Sequence, residues 1–129
     1  MSTGYDERLE PEECRRLLAS RSVARLAFTS LVGDVLVLPV TYVMDESGVL
    51  VFRTSRRGVL ARLASGERVS VQVDDVSEDL HNGWSVLGHG RATAYEGDVS
   101  PRSWVAGHDE VVVGITLDTL SGRAVSASG

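Results

Sequence analysis

A chain of 129 residues, 43% apolar and 24% charged, is one domain's worth of sequence, long enough to bury a core without disulfides or metals. A net charge of −5, with no basic stripe of interleaved aromatics, argues against nucleic-acid binding; the longest apolar run, Val35 to Met44, is about half a membrane-spanning helix and contains Pro39. The lone Cys14 excludes an intrachain disulfide framework, and MSTGYDERLEPEE has neither the basic start nor the apolar core of a secretion signal, so a cytoplasmic protein is expected.

Leu9-Glu10-Pro11-Glu12-Glu13 opens a helix that should end near Ser20. Proline suits the first helical position, the acids suit its positive end, and Leu9 can staple onto Cys14, which shares an apolar face with Leu17 and Leu18. From Val23 the period changes to two: Ala24, Leu26 and Phe28 alternate with Val23, Arg25, Ala27 and Thr29. After the turn Leu31-Val32-Gly33-Asp34, the run Val35 to Met44 is apolar on both faces and is predicted to be buried on both. Asp45 to Gly48 is a four-residue hairpin connection, with Gly48 suited to a positive φ. Val49 to Arg53 reads as a strand, followed by a turn and a short helix in which Val59, Leu60 and Leu63 fall at helical spacing before a stop at Ser65-Gly66.

Arg68 to Asp75 alternates strictly, with Val69, Val71 and Val73 inward. Val76 to Asn82 is polar and acidic, a solvated loop without calcium-loop spacing. Trp84 to Tyr95 forms a long strand with Trp84, Val86, Gly88, Gly90, Ala92 and Ala94 on one face, its glycines marking a close approach or a bend. Asp98 to His108 suggests a turn or short helix near Pro101. Val111, Val113, Ile115 and Leu117 alternate as a closing strand, while residues 1–8 and 121–129 should be flexible. Six strands with tight turns and two short helices predict a mainly β fold, a single domain over residues 1–129 built as a six-stranded antiparallel barrel whose closure removes the edges.

Chemistry concentrates in Val49 to Leu63. Arg53, Arg56 and Arg57 supply forked donors, Thr54 and Ser55 supply hydroxyls, and the start of the short helix adds unpaired N–H groups and a positive dipole end, a set suited to phosphate. The alternative is a solvated basic turn. All thirteen basic residues are arginine, which excludes Schiff-base lysine chemistry and any lysine clamp. His81, His89 and His108 lack metal-site spacing and read as surface or interface residues; His89, flanked by two glycines, could reach a ligand or a partner chain. No nucleophile elbow, P-loop or Rossmann fingerprint is present.

The segments EECRRLLASRSVARLAF, VLPVTYVMDESGVLVFRTS, VSVQVDD and GWSVLGHGRATAY, in this order, resemble the pyridoxamine 5′-phosphate oxidase-like superfamily, in the branch of small flavin-binding proteins related to nitroimidazole-resistance reductases. The resemblance implies an FMN-binding split β-barrel, a homodimer holding two FMN molecules in clefts between subunits, and a small-molecule substrate. It implies that the backbone of Leu38, Pro39, Val40 and Thr41 faces the isoalloxazine ring. It makes Phe52, Arg53, Thr54 and Ser55, with Arg56 and Arg57, the ribityl-phosphate clamp. Trp84 and Ser85 would come from the second subunit. Many relatives carry lysine where this chain has Val59, so Arg56 or Arg57 must substitute. The longer carboxy-terminal segment with which true pyridoxamine-phosphate oxidases hold substrate is not found after SGRAVSASG, so that reaction is not expected. Hydride or electron transfer through the flavin is the activity implied, with no general acid or base assigned. The alternatives are an F420-dependent reductase of the same fold and a non-catalytic flavin- or haem-binding module.

Overall fold

The computed structural model describes residues 5–101 and 109–126. Its elements run β1 (Tyr5–Arg8), α1 (Pro11–Ala19), β2 (Val23–Thr29), β3 (Val35–Met44), β4 (Val49–Ser55), a 3-10 turn (Ala61–Ala64), β5 (Ser65–Ser77), β6 (Asn82–Ala94) and β7 (Glu110–Ser126). Every pairing among these strands is antiparallel. Each of β2, β3, β4, β7, β6 and β5 pairs with the next, and β5 returns to β2, so the sheet closes into the expected six-stranded split barrel. β1 is an added seventh strand, lying along the last residues of β7, Arg123 to Ser126, beyond the reach of β4.

Alternation builds the core. Leu26 and Phe28, Val40 and Tyr42, Leu50 and Phe52, Val69, Val71 and Val73, Val86 and Ala92, and Val113 and Ile115 all point inward, and α1 adds Cys14 and Leu18. Each fully buried Leu or Phe contributes about 1.5–3 kcal/mol. α1 starts at Pro11 with Glu12 and Glu13 in its first turn, as its sequence requires. Leu9 packs against the core that holds Cys14, as a staple requires; the Cys14 thiol also lies 3.9 Å from the Leu9 carbonyl, and burial pushes that thiol up from its usual range.

One bulge matters for what lies near it. Between His89 and Gly90 the β6–β7 ladder slips, His89 standing opposite Thr119 and Gly90 opposite Leu117, so Asp118 is the extra residue. A side chain at position 90 would put its Cβ 2.1 Å from the Thr116 carbonyl oxygen, which is why glycine is needed there. The bulge aims Asp118 at Arg68 on β5, and that hydrogen-bonded pair holds the Asp118 carboxyl below its ordinary value.

Several expectations are corrected. Val59 to Leu63 does not make a helix: after Gly58 the chain manages one 3-10 turn, too short to sum a useful dipole. The helical turn does end at Ser65, its C-cap, and the same Ser65-Gly66 begins β5, with an irregularity up to Arg68 and Gly66 at φ +100°. The loop predicted over Val76 to Asn82 shrinks to 78–81, because β5 and β6 pair out to Ser77 and Asn82. Residues 5–8 and 121–126 are strand, held by β7 with β1 and by β6 with β7. Val35 to Met44 is not buried on both faces: Val35 is 71% and Val37 58% exposed on the outer side. Of the predicted turn over Asp98 to His108, residues 102–108 lie outside the described residues.

Candidate functional site

β3 and β4 share a ladder for only three residue pairs, the last being Tyr42 with Phe52. Past that point β4 stays with β7, pairing Arg53, Thr54 and Ser55 with Val112, Val111 and Glu110, while β3 stays with β2 out to Val35. The barrel wall is therefore split between the two strands. The Tyr42 N–H donates to the Ser22 carbonyl and the Ser30 N–H to the Asp34 carbonyl, which fixes even-numbered residues of β3 toward β2. Val35, Val37, Pro39 and Thr41 then turn their backbone groups to the split. Proline tolerates this place because its missing N–H would have served no ladder there.

Of the residues expected to face a flat ring, Leu38 and Val40 send their side chains toward the core, and Pro39 and Thr41 send theirs outward. What they present together at the split is strand edge. The Phe52 ring is wholly buried in the core. Trp84 packs against the core from the inner face of β6, whereas Ser85 falls on its outer face, so the two side chains diverge.

The basic corner at the end of β4 is partly occupied. Arg53 is on the outer face, where its Nη1 donates to Ser100 Oγ at 2.8 Å and its Nε lies 3.5 Å from Glu110 Oε1. That Nε is buried without a hydrogen-bond partner. Arg56 Nε donates to both carboxylate oxygens of Asp109, at 3.0 and 3.1 Å, and its backbone N–H to the Asp109 carbonyl. Arg57 is exposed, and its side chain has no ion pair among the described residues. Its N–H reaches Ser55 Oγ at 3.4 Å. Thr54 Oγ1 lies near Gly58, across the turn. Among the described residues, what this corner leaves for an anionic group is the exposed Arg57 guanidinium with the Ser55 hydroxyl beside it, since Arg53 and Arg56 face Glu110 and Asp109. Sequence reasoning missed Asp109 and Glu110, which enter only through the β4–β7 register.

Elsewhere, His89 Nδ1 and Ser70 Oγ lie 2.7 Å apart across the β5–β6 ladder, so this histidine is satisfied within its own sheet. His81 holds φ 52° in the β5–β6 turn, and His108 lies outside the described residues. Among the described residues no group of three or more His, Cys, Asp or Glu could hold a metal, and no helix is long and apolar enough to cross a membrane. A cavity of about 610 Å³ opens between α1, the β3–β4 turn and Leu117 to Leu120, away from the split. A second, of about 400 Å³, lies beside Trp84 at the far end of β5, β6 and β7.

No curated protein matches the sequence. Among solved structures, a protein from Mesorhizobium loti described as FAD-binding superposes with a TM-score of 0.78 at 24% identity, covering 96% of this chain and 99% of that one. A Mycobacterium smegmatis protein described as FAD-binding gives 0.76 at 22%, covering 91% and 98%. Another from M. smegmatis, described as binding FAD and haem, gives 0.71 at 15%, covering 95% and 74%. These likenesses establish the fold. The sequence itself matches the family model for pyridoxamine 5′-phosphate oxidase across residues 10–124, so this split barrel belongs to the pyridoxamine 5′-phosphate oxidase family.

Proposed function

We propose that the protein is a flavin-nucleotide-dependent oxidoreductase, working as a homodimer on a small-molecule substrate. The observation that carries this is the split between β3 and β4 beyond Tyr42 and Phe52, which sets a free strand edge beside an arginine-rich corner. A flavin bound there supplies hydride transfer at its ring. The edge of Val35 to Thr41 would hold and orient the flat ring through backbone N–H and carbonyl groups, and Arg57, Thr54 and Ser55 would hold the phosphate end. A second subunit laid on the exposed Val35 and Val37 would close the cleft and exclude water. FMN follows from the family resemblance, and the FAD-binding descriptions of the two M. loti and M. smegmatis neighbours support the longer nucleotide equally. F420, with its long anionic tail, suits a chain of net charge −5 less well.

The test is the visible spectrum of the purified protein, followed by reconstitution with FMN, FAD, F420 and haem. A yellow protein whose flavin bleaches anaerobically with NAD(P)H supports the reading. Haem uptake alone, suggested by the FAD- and haem-binding neighbour, would replace it. Replacing Arg53 and Arg57 together with alanine should weaken flavin-nucleotide binding by about 2–4 kcal/mol, and an unchanged titration would remove the corner from the site.

A further inference from the structure

We infer that the cavity of about 610 Å³ between α1, the β3–β4 turn and Leu117 to Leu120 is a second ligand site, one that takes an organic cation, an ammonium group carried on an apolar body. The inference does not rest on the flavin reading, since the cavity lies away from the split. The ladders create it. On one edge of β7 the last pairing with β4 is Thr116 with Val49, and the first with β1 is Arg123 with Arg8. Between them β7 pairs with β6 alone, and that edge stays open but for the Leu9 N–H on the Gly122 carbonyl. α1 lies over the opening and lines it with one stripe of its surface, Pro11, Arg15, Leu18 and Ala19.

The floor is apolar: Leu18 is fully buried, and Met44, Leu117 and Leu120 are half-buried against the core. A cavity of this volume suits a small organic molecule, and the unbranched Met44 adapts to the shape it covers. The rim decides the charge. Asp45, Glu46 and Asp118 line it against Arg15. Asp118 is neutralised by its bond to Arg68. Asp45 takes only uncharged donors, the N–H groups of Ser47 and Val49 and the Tyr95 hydroxyl, so its negative charge stays uncompensated. Glu46 and Arg15 are exposed, and among the described residues neither side chain has a hydrogen bond or ion pair. Two adjacent carboxylates on the turn thus stand against one guanidinium on the helix. A cation is attracted at the turn, whereas an anion meets both acids for the sake of Arg15 alone. The chain on either side of residues 102–108 lies at the other end of β4, where Ser100 meets Arg53 and Asp109 meets Arg56.

The experiment is calorimetric titration of the full chain with three probes that share one apolar body: 1-naphthylmethylamine, uncharged 1-naphthalenemethanol and 1-naphthylacetate. The amine should bind most tightly and the acetate least, with a gap that narrows at high salt. Glu46→Gln should weaken the amine about two- to fivefold and leave the alcohol unchanged, and Arg15→Gln should tighten the amine by a similar factor. Ala19→Trp, at an exposed position on the cavity wall, should fill the space and abolish binding of all three. If that variant fails to melt cooperatively, the two charge variants, both at exposed positions, carry the comparison. Excess FMN should displace none of the probes. Binding of none of the three, an amine no tighter than the acetate, an amine affinity unmoved by Glu46→Gln, or displacement by FMN would overturn the inference, and none of these results bears on whether a flavin binds at the split.

Discussion

At the β3–β4 turn the Asp45 carboxylate accepts the N–H groups of Val49 and Ser47 on Oδ1, each at 2.9 Å, and the Tyr95 hydroxyl on Oδ2 at 3.0 Å. These donors, the Val49 N–H first, hold its carboxyl below the ordinary value of 3.8. The folded state therefore binds this proton less tightly than the unfolded one. The stability that follows is present above the ordinary value and is lost as pH falls through the depressed one. Asp45→Asn keeps an acceptor for the turn but has no charge to titrate. Its melting temperature should lie below the parent's at neutral pH and converge with it as pH drops from about 5 to about 2. Thermal unfolding across that range checks this, and a gap independent of pH would show that the charge contributes nothing. At the same scale, Arg53, Arg56 and Arg57 look equivalent in sequence, yet among the described residues two face carboxylates and Arg57 does not.

Among the elements, α1 is tied to the barrel by one buried hydrogen bond, from the Tyr42 hydroxyl to the Leu18 carbonyl at 2.6 Å. That carbonyl belongs to the last turn of the helix, where no intrahelical donor is required to reach it. Tyr42→Phe leaves it with only the long bond from the Arg21 N–H at 3.4 Å, which should cost about 0.5–1.5 kcal/mol in urea unfolding. Burial also pushes the Tyr42 phenol up to about 12. Its contribution is intact below the usual tyrosine range and is lost as pH climbs through about 12, an alkaline loss that the Phe variant should lack. An equal alkaline loss in both proteins would assign it to other groups. The strands of the barrel were legible because each buries one face and so alternates, as in Val69, Val71 and Val73. β1 and the end of β7 were not: YDER and SGRAVS carry almost no apolar pattern, and pairing alone makes them strands. The short helix failed for the opposite reason, since its apolar spacing is right but a four-residue 3-10 turn satisfies it as well. In the corner the donors were visible in one stretch of sequence, whereas their carboxylate partners lie more than fifty residues away and meet them only through the ladder.

For the molecule as a whole, the outer face of β2 and β3 is the feature that a single barrel leaves unexplained. Val23, Val35 and Val37 stand exposed there, 44%, 71% and 58%, in strands whose inner faces are closed by the core. The register aligns Val37 with Ala27 and Val35 with Thr29, so an apolar patch spans the two strands beside the split, while Arg25, opposite Pro39, separates it from Val23 opposite Thr41. A two-fold partner seated on this face would bury it and wall the split with one contact surface, so dimerisation and cofactor binding should be linked. Val37→Asp places a charge in that surface at a position already open to water in the single chain. The variant should melt cooperatively, sediment as a monomer, and bind flavin at least about tenfold more weakly, because half of the cleft is gone. A parent protein that sediments as a monomer yet binds flavin fully would separate the two events and place the whole site within one barrel.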